Sequence, residues 1–360
     1  MNMIREWFRN RFSDPQIVIL SLVLILSAGV VFFLGEMLAP VFAALVIAYL
    51  LEGVVRVLRR RGIPRTLAVL AVFSGFMVAV VAGVVFLIPL LVEQITQLVN
   101  ILPSMLAHGQ VQLHELARIY PNVITEQQVQ EMVTLFRSEL VRLGQRALAV
   151  SLASLQSAIT YLVYLILVPL LIFFFLKDKH KLMAWVRGLV PEHRTLTEGV
   201  WDEVNQQTAN YIRGKAWEIV IVWAATYGAF LIMGLDFAML LGMLVGVSVL
   251  IPYIGATVVT LPVALVAYHQ FGWTSELAWI MTVYGIIQAL DGNVLVPVLL
   301  SGVINMHPVA IIVAVLVFGG LWGFWGIFFA IPLATLVHAV LRVLWQNRQS
   351  VAPPSFTDPS

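Results

Sequence analysis

The chain of 360 residues has no cysteine, so disulfides, thiolate metal sites and thiol nucleophiles are excluded. Charge is scarce as well: 11% of the residues are Asp, Glu, Lys or Arg, against roughly 25% in a soluble domain. Cations vanish altogether from residue 216 to residue 341, and the only formal charges in that stretch are Glu218, Asp236, Glu276 and Asp291. A soluble core is excluded. With a net charge of +2 and no extended basic face, the sequence carries no nucleic-acid footprint either. Neither a zinc-binding H-E-x-x-H nor a phosphate-loop lysine occurs, so nothing supports ATP-driven pumping by this chain.

What is present is apolar length. Hydrophobic residues make up 61% of the chain, and the mean hydropathy is +0.95. They arrive in blocks long enough to cross about 30 Å of hydrocarbon, near residues 17–34, 37–55, 67–92 and 151–176. A β-barrel would show short alternating stretches instead. The expectation is an all-α, polytopic membrane protein of about eight transmembrane helices. Arg5, Arg9 and Arg11 before the first block resemble a secretion signal, but that block is too long and leads straight into the next, so it reads as a retained helix that starts near Asp14-Pro15.

Charge and composition divide the chain into N-terminal membrane helices (1–92), an amphipathic helical segment (93–148), a membrane helix (149–176), a polar loop (177–215), a C-terminal membrane core (216–345) and a tail (346–360). Thr125-Glu126-Gln127-Gln128 has capping-box spacing. It opens an amphipathic helix through Val129, Met132, Val133, Phe136, Leu140, Leu143 and Ala147, which pairs with another near 90–117 as a helical hairpin. Counting crossings places all but four of the 21 Lys and Arg residues on one side. The positive-inside rule then puts both termini in the cytoplasm and 93–148 outside.

The C-terminal half is interrupted twice. The run 237–250 stops at Ile251-Pro252-Tyr253-Ile254-Gly255, and 277–290 stops at Asp291-Gly292-Asn293, with Pro297 shortly after. Each run is roughly 21 Å of helix at 1.5 Å per residue. Broken backbone at membrane depth must line a cavity or be buried in protein, and paired interruptions point to a transporter's binding site. Pro252, Gly255, Gly292 and Pro297 are therefore candidate hinge or break positions. Asp291, Gln288, Asn293 and Tyr253 are candidates for the transport pathway or an ion site, because an acid kept at depth without a cation invites a functional explanation. The competing reading makes Asp291 a hydrated cap.

Here the sequence also resembles a known family. The stretches VPLLIFFFLKD (168–178), NYIRGK (210–215), LIPYIGA (250–256), QALDGNVLVPVLL (288–300) and GGLWGFWGIFFAIPLATL (319–336) are similar to the autoinducer-2 exporter family of bacterial permeases. The resemblance covers nearly the whole chain. It implies a multi-pass protein of the bacterial inner membrane, a homo-oligomer, expected as a pentamer, and a role in exporting small molecules, with cation-for-proton exchange proposed for some members.

The remaining features have plainer readings. Glu218 is expected to pair with Lys215 at the membrane interface. Asp236 belongs to a tight interhelical turn, and Glu276 follows Thr274-Ser275 at a helix start. Gly320, Gly323 and Gly326 are expected to let helices pack closely. His269, His307 and His338 lack metal-ligand spacing, so neither a metal nor a cofactor is expected. Gly246-Val247-Ser248 with His338 is the one hint of an intramembrane serine protease, and it is too degenerate to support an enzyme. The expected function is a secondary permease or exporter of small molecules, ion- or proton-coupled, with the bilayer and a small-molecule or ion substrate as partners. The alternative is a non-transporting membrane scaffold.

Overall fold

The computed structural model describes residues 15–119, 154–188, 195–300 and 307–337, with scattered positions from 125 to 142. Asp14, most of the second amphipathic helix, Ser301-Gly302, His338 and the 346–360 tail lie outside the described residues. Every regular element among those described is helical. In order they are α1 (Pro15–Arg60), α2 (Arg65–Ala82), a π-helical turn (Gly83–Leu87), α3 (Ile88–Ile119), α4 (Ser154–Lys177), α5 (Lys179–Gly188), α6 (Thr195–Ile232), α7 (Ala238–Ser248), α8 (Ile254–Phe271), α9 (Ser275–Leu290), a second π-helical turn (Asp291–Leu295), α10 (Val296–Leu300) and α11 (Pro308–Phe328).

Six stretches are long and apolar enough to cross a membrane, by length and composition: Met37–Arg60, Arg65–Val111, Asn205–Ile232, Ile254–Phe271, Ser275–Leu300 and Pro308–Phe328. The protein is thus an all-α, multi-pass membrane protein. Two boundaries differ from the sequence reading. Residues 17–55 form one helix, α1, which passes through Gly35-Glu36 without ending and is roughly 70 Å long. The third apolar block likewise runs through a π turn into the amphipathic segment, so residues 65–119 are helical throughout. The physical reason is shared. In lipid no water waits to take over a broken backbone hydrogen bond, so a glycine or proline is absorbed within the helix. Pro40 sits inside α1 in this way.

The capping box after residue 124 is formed as its spacing implies. Thr125 N–H donates to Gln128 Oε1 at 3.0 Å, and Gln128 N–H donates to Thr125 Oγ1 at 3.3 Å.

The two largest packing centres among the described residues organise the molecule. One joins α1, α2 and α4 through Ala44, Ala48, Val55, Ala68, Val69, Ile172 and Leu176. At the same end, Glu52 pairs with Arg65 at 3.5 Å and Lys179 at 3.2 Å, tying α1 to the starts of α2 and α5. The second centre joins α6, α7, α8 and α9 through Val222, Phe230, Leu241, Val245, Val263, Ile280 and Tyr284.

Within the second centre α7 and α8 form a helical hairpin. Gln270 at the end of α8 returns to the start of α7, where Nε2 donates to Gly234 O and Oε1 accepts from Asp236 N–H, each at 2.8 Å. Asp236 therefore belongs to the interhelical turn, as its sequence position implies. Gly242 and Gly246 face α6 so closely that a Cβ on either would lie 3.0 Å from Tyr227 or 2.6 Å from Trp223. This small-xxx-small pair lets two backbones approach, and sequence reasoning missed it although the four-residue glycine spacing is its signature.

A second hairpin occupies the last apolar stretch. Gly323 has φ +57° and ψ −132°, outside the helical region, and the chain reverses there. Ala314 and Val315 before the reversal pack with Ala330 and Ala334 after it. Gly326 rests on the carbonyl of Phe318, and Gly319 lies against Ile327. The three predicted packing glycines thus separate in role. Gly326 makes a close approach, Gly323 is the turn, and Gly320 has open space around it.

Candidate functional site

The tip of the α7–α8 hairpin is built by Pro252. A proline supplies no amide hydrogen and disfavours the helical region for its predecessor, so α7 ends at Ser248 and α8 begins at Ile254. Tight bonds bridge the gap, from Leu250 N–H to Val247 O at 3.1 Å and from Ile251 N–H to Ser248 O at 3.0 Å. Tyr253 sits at φ +63° with its side chain 56% exposed. Phe237, at the other end of α7, is also left-handed at φ +57°. A bulky residue in that region costs about 1–3 kcal/mol and persists only where its surroundings hold it. Gly255 is wedged against the Ser248 carbonyl, where no side chain fits.

Against this tip lies a buried ion pair. Lys215 Nζ is 2.8 Å from Glu218 Oε1, with side-chain exposures of 4% and 1%. The same ammonium donates to the carbonyl of Val249 at 2.8 Å. That carbonyl belongs to the C-terminal cap of α7, where unpaired acceptors and the helix dipole favour a cation. The sequence spacing gave the pair; the structure adds that it is enclosed by protein, because Leu250 and Ile251 at the tip pack into the cores around α6 and the second hairpin.

The third charged group is Asp291. Its helix does not end there, as the sequence reading had it, but continues to Leu300 through the π-helical turn Asp291–Leu295. Gly292 lies within that turn and Pro297 in the short helix after it, so neither breaks the chain. A π turn widens a helix locally and often marks a functional position. Asn293 Nδ2 donates to the Ala289 carbonyl four residues back, at 2.8 Å, supporting the loosened ladder. Asp291 is within electrostatic reach of both Lys215 and Glu218. Asp291 Oδ1 and Glu218 Oε2 are buried with no hydrogen-bond partner.

The other sequence candidates scatter around this cluster. Gln288 is engaged one turn before Asp291, its Nε2 donating to the Tyr284 hydroxyl at 2.9 Å. That hydroxyl donates to Ala256 O at 3.2 Å and lies 3.1 Å from Thr260 Oγ1, so α9 is fastened to the start of α8. Glu276 lies in the first turn of α9, where Ser275 Oγ donates to Glu276 Oε2 at 3.3 Å. His307 caps α11, its Nδ1 accepting from Val309 N–H at 3.3 Å. Among the described residues no group of three or more His, Asp or Glu comes together to hold a metal ion.

The arrangement that emerges is a buried lysine–glutamate pair and a half-buried aspartate with one enclosed oxygen, where a hairpin tip, a π turn and a long helix meet. An isolated charge at the centre of a bilayer costs about 2.5–3.5 kcal/mol even on the lenient insertion scale. The sequence profile of the AI-2E family transporters matches residues 20–346. The chain belongs to that family. It is 46% identical over 352 residues to PerM of Escherichia coli (strain K12), provisionally named a permease, covering 97% of this chain and 99% of that protein. It is 26% identical to YueF of Bacillus subtilis (strain 168), over 88% of this chain and 85% of the relative. A protein of Methanothermobacter thermautotrophicus is 24% identical over 94% and 96% of the two chains. Both are provisionally named transport proteins. Family membership and the apolar helices together support a membrane transporter role for this AI-2E chain.

Proposed function

We propose that this AI-2E chain is a secondary permease that exports small molecules across a bacterial inner membrane, with Lys215, Glu218 and Asp291 as its polar centre. The observation that carries the reading is the Lys215 ammonium, which joins Glu218 on α6 to the Val249 carbonyl at the hairpin tip. A charge so placed ties the chemistry of the centre to the position of the hairpin. Movement of the α7–α8 hairpin relative to α6 and the π turn opens the centre to one side or the other, and Asp291 couples that movement to protons or cations. Tyr253, exposed at the tip, faces the path. The arrangement has no use for ATP. The family resemblance supports a homo-oligomer, with both termini in the cytoplasm by charge distribution.

The test has two stages. Comparing metabolites that accumulate in cells lacking the chain with those depleted in overproducing cells identifies the cargo. Proteoliposomes loaded with that cargo then show efflux for the wild type and at least about a tenfold loss for Asp291→Asn, the scale of about 1.4 kcal/mol in a barrier. Ser248→Ala leaves efflux unchanged. An Asp291→Asn protein that inserts normally and carries cargo at an unaltered rate across pH would falsify the role given to Asp291.

A further inference from the structure

Lys215, Glu218 and Asp291 carry one positive and two negative formal charges. Glu218 is 1% exposed and Lys215 3% exposed, so neither reaches water. Lys215 satisfies one oxygen of Glu218 and leaves Oε2 buried and unpartnered, and Asp291 Oδ1 is in the same condition. Among the described residues no second cation is placed to balance the set. Arg213 turns toward α1, its Cδ 3.8 Å from where a side chain on Gly53 would begin. From α1 the ionisable groups facing α6 are Tyr49, bonded to Asn205, and Glu52, already paired with Arg65 and Lys179. On α6 itself Tyr211 lies within electrostatic reach of Glu218. The hairpin contributes only the Val249 carbonyl and Ser248, whose hydroxyl donates to Val245 O. From α9 come Tyr284 and Gln288, bonded to each other, while α10 supplies only apolar side chains and one proline.

Two carboxylates competing for one counter-ion, each with an enclosed and unpartnered oxygen, do not both remain ionised. We propose that Glu218 and Asp291 together hold one exchangeable proton, so that the cluster is neutral with Lys215 charged. The two orphaned oxygens are its seats. Asp291, whose side chain is the less buried of the two acids, exchanges it with water; when the proton leaves, the Lys215 ammonium is drawn from the Val249 carbonyl toward the second carboxylate, and the hairpin tip is released. The proton is thus the ligand of the site and Lys215 the positioning residue that reports its loss. This deepens the transport reading and rests on it for its purpose, but proton occupancy is measured without any flux.

The experiment is infrared difference spectroscopy of the full chain in lipid nanodiscs, in choline buffer, reading the carbonyl stretch of a protonated carboxyl and its shift in D2O. The wild type is expected to show one such group per chain. Glu218→Gln and Asp291→Asn each abolish it, because the remaining carboxylate pairs with Lys215. Lys215→Met about doubles it, because both acids must then be neutral. Amide hydrogen exchange at residues 249–254 rises in Lys215→Met and stays near the wild-type rate in Lys215→Arg. Should Lys215→Met not fold, the two isosteric acid variants and Lys215→Arg decide the matter alone. A wild-type spectrum without the band, a band surviving in both acid variants, or a band displaced by added Na⁺ or K⁺ overturns the proposal, the last by making a metal cation the balancing charge. Absence of cargo efflux with the band pattern intact would count against the transport reading only.

Discussion

Gly255 lies directly on the carbonyl of Ser248, seven residues back across the hairpin tip, in a space that no β-carbon can enter. That contact fixes how closely α8 returns along α7. Gly255→Ala is therefore expected to lower stability by about 1–3 kcal/mol through overpacking. Thermal unfolding in detergent reads the loss. Gly228→Ala, a glycine on α6 with open space around it, is the control and should melt within a degree or two of the wild type.

Gly323 and Gly320 make a sharper pair. Gly323 adopts φ +57° and ψ −132°, a conformation almost closed to any residue with a side chain, whereas Gly320 lies in α11 with nothing near its missing Cβ. Gly323→Ala should cost about 1–3 kcal/mol and strain the second hairpin. Gly320→Ala should be neutral or stabilise by about 0.5–1 kcal/mol, the ordinary helical preference for alanine. Equal melting shifts for the two variants would mean that the chain does not reverse at Gly323.

How far these features were legible follows from what lipid does to a helix. Block length and scarcity of charge were enough for an all-α membrane protein, and the reciprocal bonds of Thr125 and Gln128 and the turn at Asp236 follow from local spacing. Boundaries were harder. Gly35-Glu36 and Asp291-Gly292-Asn293 read as stops by the rules of soluble helices, yet both helices continue, one unaltered and one through a π turn. Gly323, the actual second reversal, hid among glycines three residues apart, which read equally well as a packing stripe. The depth of the Lys215–Glu218 pair was invisible because the polar residues before it placed Lys215 at the edge of an apolar block. Only the tertiary position of the hairpin tip buries it.

Because that pair is buried, its members are not separable. Glu218→Ala takes the bonded partner of the Lys215 ammonium and leaves it the Val249 carbonyl and the charge of Asp291, and Lys215→Ala strands Glu218; each should destabilise by about 3–5 kcal/mol. The double variant Lys215→Met/Glu218→Met replaces both with apolar side chains of similar length and should cost less than either single change. Raising salt should leave the differences intact, since ions screen buried pairs weakly. Additive losses in the cycle would place the two side chains in water instead.

Tyr284 joins the candidate site to the first hairpin. Its hydroxyl accepts from Gln288 Nε2 and donates to the Ala256 carbonyl, which Thr260 Oγ1 also reaches at 2.8 Å. Removing it in Tyr284→Phe leaves Ala256 O satisfied by Thr260 but takes away the hydroxyl to which Gln288 Nε2 donates, so the cost should be about 1–3 kcal/mol, set by the stranded amide. Gln288→Leu removes the amide instead and leaves the Tyr284 hydroxyl with its other two neighbours, so it should cost less. The double variant should then resemble Gln288→Leu rather than the sum, since the stranded group is gone. If the Tyr284–Ala256 bond is what holds α9 on α8 beside Asp291, Tyr284→Phe should also raise amide exchange in the π turn at 291–295, whereas Gln288→Leu, whose bond lies within α9, should leave it near the wild-type rate. A stability loss in Tyr284→Phe that Gln288→Leu does not relieve would assign the hydroxyl's contribution to Thr260 and Ala256 alone, leaving the position of Asp291 to the packing of Ile280 and Tyr284 against Phe230 and Val263.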